Sequence, residues 1–138
     1  MRLWHVSLIS VLPREQLVSQ WRECSAIVSN IQKKNSPNHI LCNFVMNYDF
    51  DHFISYAYYV RLEMTKRGYR TMNSIWEKII ALKPNWTLLN LHDVYPEIMN
   101  DLYWTICYYN LKEKWLRGGI NFKDWDKIED MNLMLYHC

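Results

Sequence analysis

Residues 13–33 read PREQLVSQWRECSAIVSNIQK, and their spacing decides the fold. Leu17, Trp21, Cys24, Val28 and Ile31 recur at intervals of three and four, which on a 3.6-residue helix gathers them into one apolar stripe. Pro13 suits a first turn, because its fixed φ is already helical and its missing N–H has no partner to lose there. Arg14, Glu15, Gln20, Arg22, Glu23 and Ser25 are left to the remaining surface. The segment Lys33-Lys34-Asn35-Ser36-Pro37-Asn38 then closes the element in a polar loop.

The same period continues downstream. A second helix is expected from Asp49 or Asp51, both good N-caps, through Phe53, Ile54, Ala57, Val60 and Met64 to a C-terminal Gly68, with Tyr56 flanking the stripe. Lys66 and Arg67 complement the helix dipole there and need no other role. A shorter helix is expected over Ser74 to Leu82, stopped by Lys83-Pro84. A third long one runs from Pro96 or Glu97 to Arg117 before Gly118-Gly119, with Leu102, Ile106, Tyr109 and Leu111 inward. His39 to Met46 reads equally as a short strand or as the tail of a linker, and Asp124 onward as a short helix. The expected fold is all-α, a compact single domain over residues 1–138 built of three long helices plus short ones.

Composition fits that reading. Of 138 residues, 50% are hydrophobic and 22% charged, too apolar for a disordered chain and too often interrupted by charge for a membrane-spanning one. The longest apolar run, Leu41 to Met46, is broken by Asn43, and the opening Met1-Arg2-Leu3-Trp4-His5 carries no long apolar signal stretch, so the cytoplasm is the expected location. Cys24, Cys42, Cys107 and Cys138 show neither C-x-x-C nor zinc-ligand spacing, which points to reduced thiols and no metal site. A net charge of +2 decides nothing about nucleic acid unless the cations cluster. The seven Trp and ten Tyr are expected mostly in the core, with one or two free to stack on or wedge into a partner.

Specific function enters through resemblance. Met1-Arg2-Leu3-Trp4-His5, Leu12-Pro13-Arg14, Gln16-Leu17 and Trp21-Arg22-Glu23-Cys24 together resemble the start of the pyrimidine-dimer DNA glycosylase family, the bacteriophage endonuclease V type of dimer repair. The similarity resumes at Asn38-His39 and Lys66-Arg67-Gly68-Tyr69 and is fainter at Leu111-Lys112-Glu113-Lys114, spanning most of residues 1–118. It implies an all-helical fold with the N-terminal segment threaded between helices. It also implies a glycosylase with abasic-site lyase activity that uses a terminal α-amine as nucleophile beside a first-helix glutamate. An α-amine, with a pKa of ~7.7–8.0, is partly neutral near pH 7, whereas a lysine is not.

By this resemblance the catalytic pair is Met1 and Glu23. Arg2 is too large for the usual removal of Met1, and an ungapped match sets Arg2 opposite the family's nucleophilic residue. The implied DNA contacts are Arg2, Arg14, Arg22, His39 and Lys114, with Lys33, Lys34, Lys112 and Arg117 as further cations. Ala26 stands where the family has another arginine, and Trp125 is the one candidate for its lesion-reading aromatic C-terminal segment. The implied partner is double-stranded DNA bearing a lesion or abasic site, approached by a monomer without metal or organic cofactor. Two other readings fit the same residues: a non-catalytic DNA-binding or regulatory protein, and a glycosylase for another modified base. Apart from the resemblance, Glu23 would read as a solvated helix residue and the cations as solvated faces.

Overall fold

The computed structural model describes residues 2–136, except for the side chain of Tyr136. Five α-helices carry the fold: α1 Arg14–Lys34, α2 Phe50–Lys66, α3 Asn73–Ile80, α4 Asp101–Leu116 and α5 Phe122–Tyr136. Short 3-10 stretches lie at Val6–Val11, Asn43–Asn47 and Leu91–Asp93, and no strand occurs among the described residues. No helix of the described residues is long and apolar enough to cross a membrane.

Pro13 stands just before α1, and its carbonyl accepts the first helical bond, from the Leu17 amide at 3.0 Å. Asn35 closes the helix in the left-handed region with φ 54°, returning its amide to the Ile31 carbonyl at 2.9 Å. All five stripe residues of α1 are buried, but Gln20 and Ile27 are buried with them. Gln20, expected on the surface, is 0% exposed. Position 20 lies three after Leu17 and four before Cys24, so the stripe's own geometry carries it inside despite its polarity.

Asp49 caps α2 by accepting the Asp51 amide at 2.9 Å, and Lys83 bridges Asp49 and Asp51 at 2.9 Å each. The helix ends at Gly68, whose φ of 80° is open to glycine at no steric cost. Tyr56 is wholly buried rather than flanking the stripe. Arg67 does more than complement the dipole. Its guanidinium donates to the carbonyls of Leu12 at 2.7 Å and Ser10 at 3.2 Å, and pairs with Glu63 at 2.9 Å, pinning the segment before α1 to the end of α2.

The segment 39–47 is a turn followed by a 3-10 stretch. α4 begins later than Pro96 or Glu97, capped by Asn100, whose side chain accepts the Tyr103 amide at 2.9 Å. Its inner face is turned from the expected one: Trp104, Cys107, Tyr108 and Leu111 are buried, whereas Leu102, Ile106 and Tyr109 are exposed. Both faces carry apolar residues, and the ring stack with α5 decides between them. Trp104, Tyr108, Trp125 and Trp115 lie near-parallel, with successive centroids 5.2, 5.6 and 5.9 Å apart. α5 is a fourth long helix rather than a short one, and it packs on both α4 and the Val6–Val11 stretch.

Candidate active site

The first described residues form an extended segment, and polar side chains from three helices hold it. Gln20 of α1 is the hub. Its amide nitrogen donates to the Arg2 carbonyl at 2.8 Å and to Glu23 Oε2 at 2.8 Å. Its oxygen accepts from the Trp4 amide at 2.7 Å and from the Tyr56 hydroxyl of α2 at 2.7 Å. The one Tyr56 hydroxyl proton is shared between that oxygen and the Trp4 carbonyl, 2.5 Å away, and Tyr103 of α4 donates to the Leu3 carbonyl. A fully buried glutamine with every strong site partnered positions what it touches rather than drifting among rotamers.

Gln20 touches Glu23, one helical turn further along α1. Glu23 is half-buried and its Oε2 also accepts the Arg2 amide, at 3.3 Å. Burial pushes the Glu23 carboxyl above its ordinary value of 4.5, while the Arg2 amide, the Gln20 amide and the charge of His39 pull it back. A carboxyl raised by burial yet already accepting two donors can stabilise a developing cation or exchange a proton.

The other expected residues divide. His39 is close enough to act on Glu23, and its turn is fixed by its own Nδ1 accepting the Leu41 amide at 3.2 Å and by Asn43 Oδ1 accepting the His39 amide at 3.1 Å. Arg2 turns its guanidinium toward Trp4, 5.9 Å from the ring centroid, and toward Tyr103 and Cys107. Arg14 and Arg22 are exposed on α1, where with Glu15, Val18 and Ser19 they line one shallow depression. Arg14 also lies over Tyr69, 5.1 Å from its ring centroid. Lys114 is exposed near the end of α4. Its carbonyl accepts the Gly119 amide at 2.8 Å, and Gly119 shares a small cleft with Arg14. Met1 lies outside the described residues.

Trp125 is not an exposed reader of a lesion: it is buried, stacked between Tyr108 and Trp115. Cys24, Cys42 and Cys107 are free and buried, while Cys138 lies outside the described residues. Gln20, Tyr56 and Tyr103 were missed by sequence reasoning as parts of this site. A polar residue at an apolar register position is the signal that would have found Gln20. The two tyrosines carry no such mark.

The described residues thus form an all-helical fold in which a half-buried carboxylate on α1 holds the segment that begins at Arg2, with Arg14 and Arg22 exposed on the same helix. A family model described as pyrimidine dimer DNA glycosylase matches residues 1–77, and the chain belongs to that family of DNA-repair enzymes. The match takes in α1, α2 and the whole Gln20 cluster except Tyr103. No curated protein and no solved structure matches the chain.

Proposed function

We propose that the protein removes the base of a damaged nucleotide, a pyrimidine dimer by the description of its family, and then nicks the strand at the resulting site. The α-amine of Met1 is the nucleophile in this proposal. Its neutral form attacks C1′, and the glycosidic electron pair leaves with the base, which takes up a proton. Protonation of the sugar ring oxygen opens the ring to a Schiff base. Loss of a C2′ proton then expels the 3′ phosphate by β-elimination.

Glu23 serves three of these steps: as carboxylate it stabilises positive charge at C1′ and accepts the C2′ proton, and as acid it supplies the ring oxygen. The observation that carries the reading is the contact between Glu23 and the Arg2 amide at 3.3 Å. That nitrogen is bonded to the carbonyl carbon of Met1, and one residue of chain spans at most ~3.6 Å. The pairing supports a reading in which the nucleophile is the residue joined to Arg2 and Glu23 acts beside it. Arg14, Arg22, His39 and Lys114 supply phosphate contacts on either side of the extruded nucleotide.

Borohydride trapping on abasic and dimer-containing duplexes tests the proposal. A covalent adduct should form on both, and peptide mass mapping should place it on the Met1 amine. Capture on an internal lysine rejects the nucleophile, and absence of any adduct or cleavage rejects the lyase.

A further inference from the structure

α4 carries a second apolar face, which the described residues leave open. Leu102, Ile106, Tyr109, Glu113 and Leu116 recur at alternate intervals of four and three, the spacing of a seam between two packed helices. Leu102, Ile106, Tyr109 and Leu116 stand 70%, 41%, 59% and 72% exposed. Single apolar residues on a surface are ordinary, but a stripe running the length of one helix is not. The opposite face belongs to α5, where Tyr108 and Trp115 stack on Trp125, so rolling α4 to hide the outer stripe would expose those rings. The family model matches residues 1–77, and α4 lies beyond them.

Charge along the helix runs from acidic to basic: Asp101 opens it, and Lys112, Lys114 and Arg117 stand at its end. A second α4 laid parallel would set Asp101 against Asp101 and Arg117 against Arg117. Laid antiparallel about a two-fold axis at Tyr109, which is equidistant in sequence from Leu102 and Leu116, it sets Leu102 against Leu116 and Asp101 against Arg117. The two helix dipoles then oppose as well. Glu113, the charged member of the stripe, pairs with Arg117 of its own helix at 2.7 Å and by the same symmetry falls opposite Thr105. Lys112 lies over the Tyr109 ring, 5.7 Å from its centroid, and lends its alkyl stem to the seam. The carboxylates of Asp101 and Glu113 beside four apolar side chains suit another helix and repel a phosphate backbone.

We propose that the outer face of α4 is a dimer seam, with α4 of a second copy of this chain packed antiparallel across it. The proposal departs from the monomer that the family resemblance implies, and it is independent of the excision chemistry. The face complements itself in both apolar spacing and charge, as a two-fold interface must. One helix face is small against the ~800 Å² per partner of a standard interface, so the dimer is expected to form in the micromolar range. The exposed ring of Phe122, 6.1 Å from that of Trp115, stands beside the last turn and widens the patch.

Sedimentation equilibrium of the full chain, up to roughly 100 μM, tests the association. The parent should pass from monomer to dimer over this range. Tyr109→Glu, which sets a charge at the axis, should weaken the dimer about 30-fold or more with far-UV circular dichroism unchanged. Leu116→Lys, at the most exposed position of the stripe, should do the same, and it carries the test if Tyr109→Glu does not fold. Orientation is read by thiol crosslinking in a Cys138→Ser background, in which Cys24, Cys42 and Cys107 are buried. A mixture of Leu102→Cys and Leu116→Cys chains should form a disulfide-linked pair under mild oxidation, and neither chain alone should. A parent that stays monomeric through this range overturns the proposal, as does a dimer that survives both charge substitutions or a Leu102→Cys chain that links to itself. A size shift that appears only with added duplex DNA also overturns it and gives the face to DNA.

Discussion

Replacing Gln20 with leucine keeps the approximate volume of a fully buried side chain and strips four hydrogen bonds from it. Tyr56 retains the Trp4 carbonyl as acceptor, and Glu23 retains the Arg2 amide as donor. The Trp4 amide and the Arg2 carbonyl have no such second partner among the described residues, and each orphaned group costs about 1–3 kcal/mol, so the variant should lose about 2–6 kcal/mol. At an unfolding entropy of about 2.1 cal/mol/K per residue, a chain of 138 residues converts this into a drop in Tm of about 7–20 °C. Scanning calorimetry of parent and variant side by side measures it. The pH–rate profile of cleavage carries a second signature. Glu23 loses a donor that lowers its pKa, so the acidic limb should move to higher pH. A Tm change below about 2 °C would show that these backbone groups find other partners and that Gln20 is no hub.

Glu23→Gln should bind lesion DNA as the parent does and lose about 10²- to 10⁴-fold in single-turnover cleavage, with equal rates counting against the assigned role. The same variant tests the raised carboxyl. Because the fold favours the protonated form, the parent's relative stability is greatest below 4.5 and is lost as pH rises through the folded value. Glu23→Gln should therefore melt higher than the parent near pH 8 and show no such gain near pH 4, and the reverse order would contradict the shift. Arg67→Ala should destabilise by about 2–4 kcal/mol in urea titration by releasing the Ser10 and Leu12 carbonyls, and Arg67→Lys should recover little, since a point charge cannot span a fork's acceptors. Arg14→Ala and Arg22→Ala should each reduce the slope of log K against log salt by about 1, and an unchanged slope places that cation off the phosphates.

Period, caps and loop chemistry were enough to place α1 and α2, because their stripes are apolar and their ends carry Pro13, Asn35, Asp49 and Gly68. Reading failed where residue type and register disagree. Gln20 was assigned to the surface for its polarity, although Leu17 and Cys24 already fixed its side of the helix. α4 offers two apolar faces, and the stacking of Tyr108 and Trp115 on Trp125 of α5 chooses between them, information that lies in another helix. Glu23 was found through its family resemblance, since a glutamate next to an arginine on a helix is otherwise unremarked. Tyr56 and Tyr103 reach the carbonyls of Trp4 and Leu3 from 52 and 100 residues away, which no local pattern encodes.

That last separation bears on the order in which the protein is made. Leu3 is made 100 residues before Tyr103, the partner of its carbonyl, and the Val6–Val11 stretch is likewise made before α5. A nascent chain that has emerged only through α3 already contains Glu23, Gln20 and Tyr56, but the opening segment lacks the supports supplied by α4 and α5. Gln20, Glu23 and Tyr56 are thus synthesised before the helix whose Tyr103 completes the support of the segment they hold. A chain cut short after α3 carries Gln20, Glu23 and Tyr56 without the Tyr103 contact or the packing of α5.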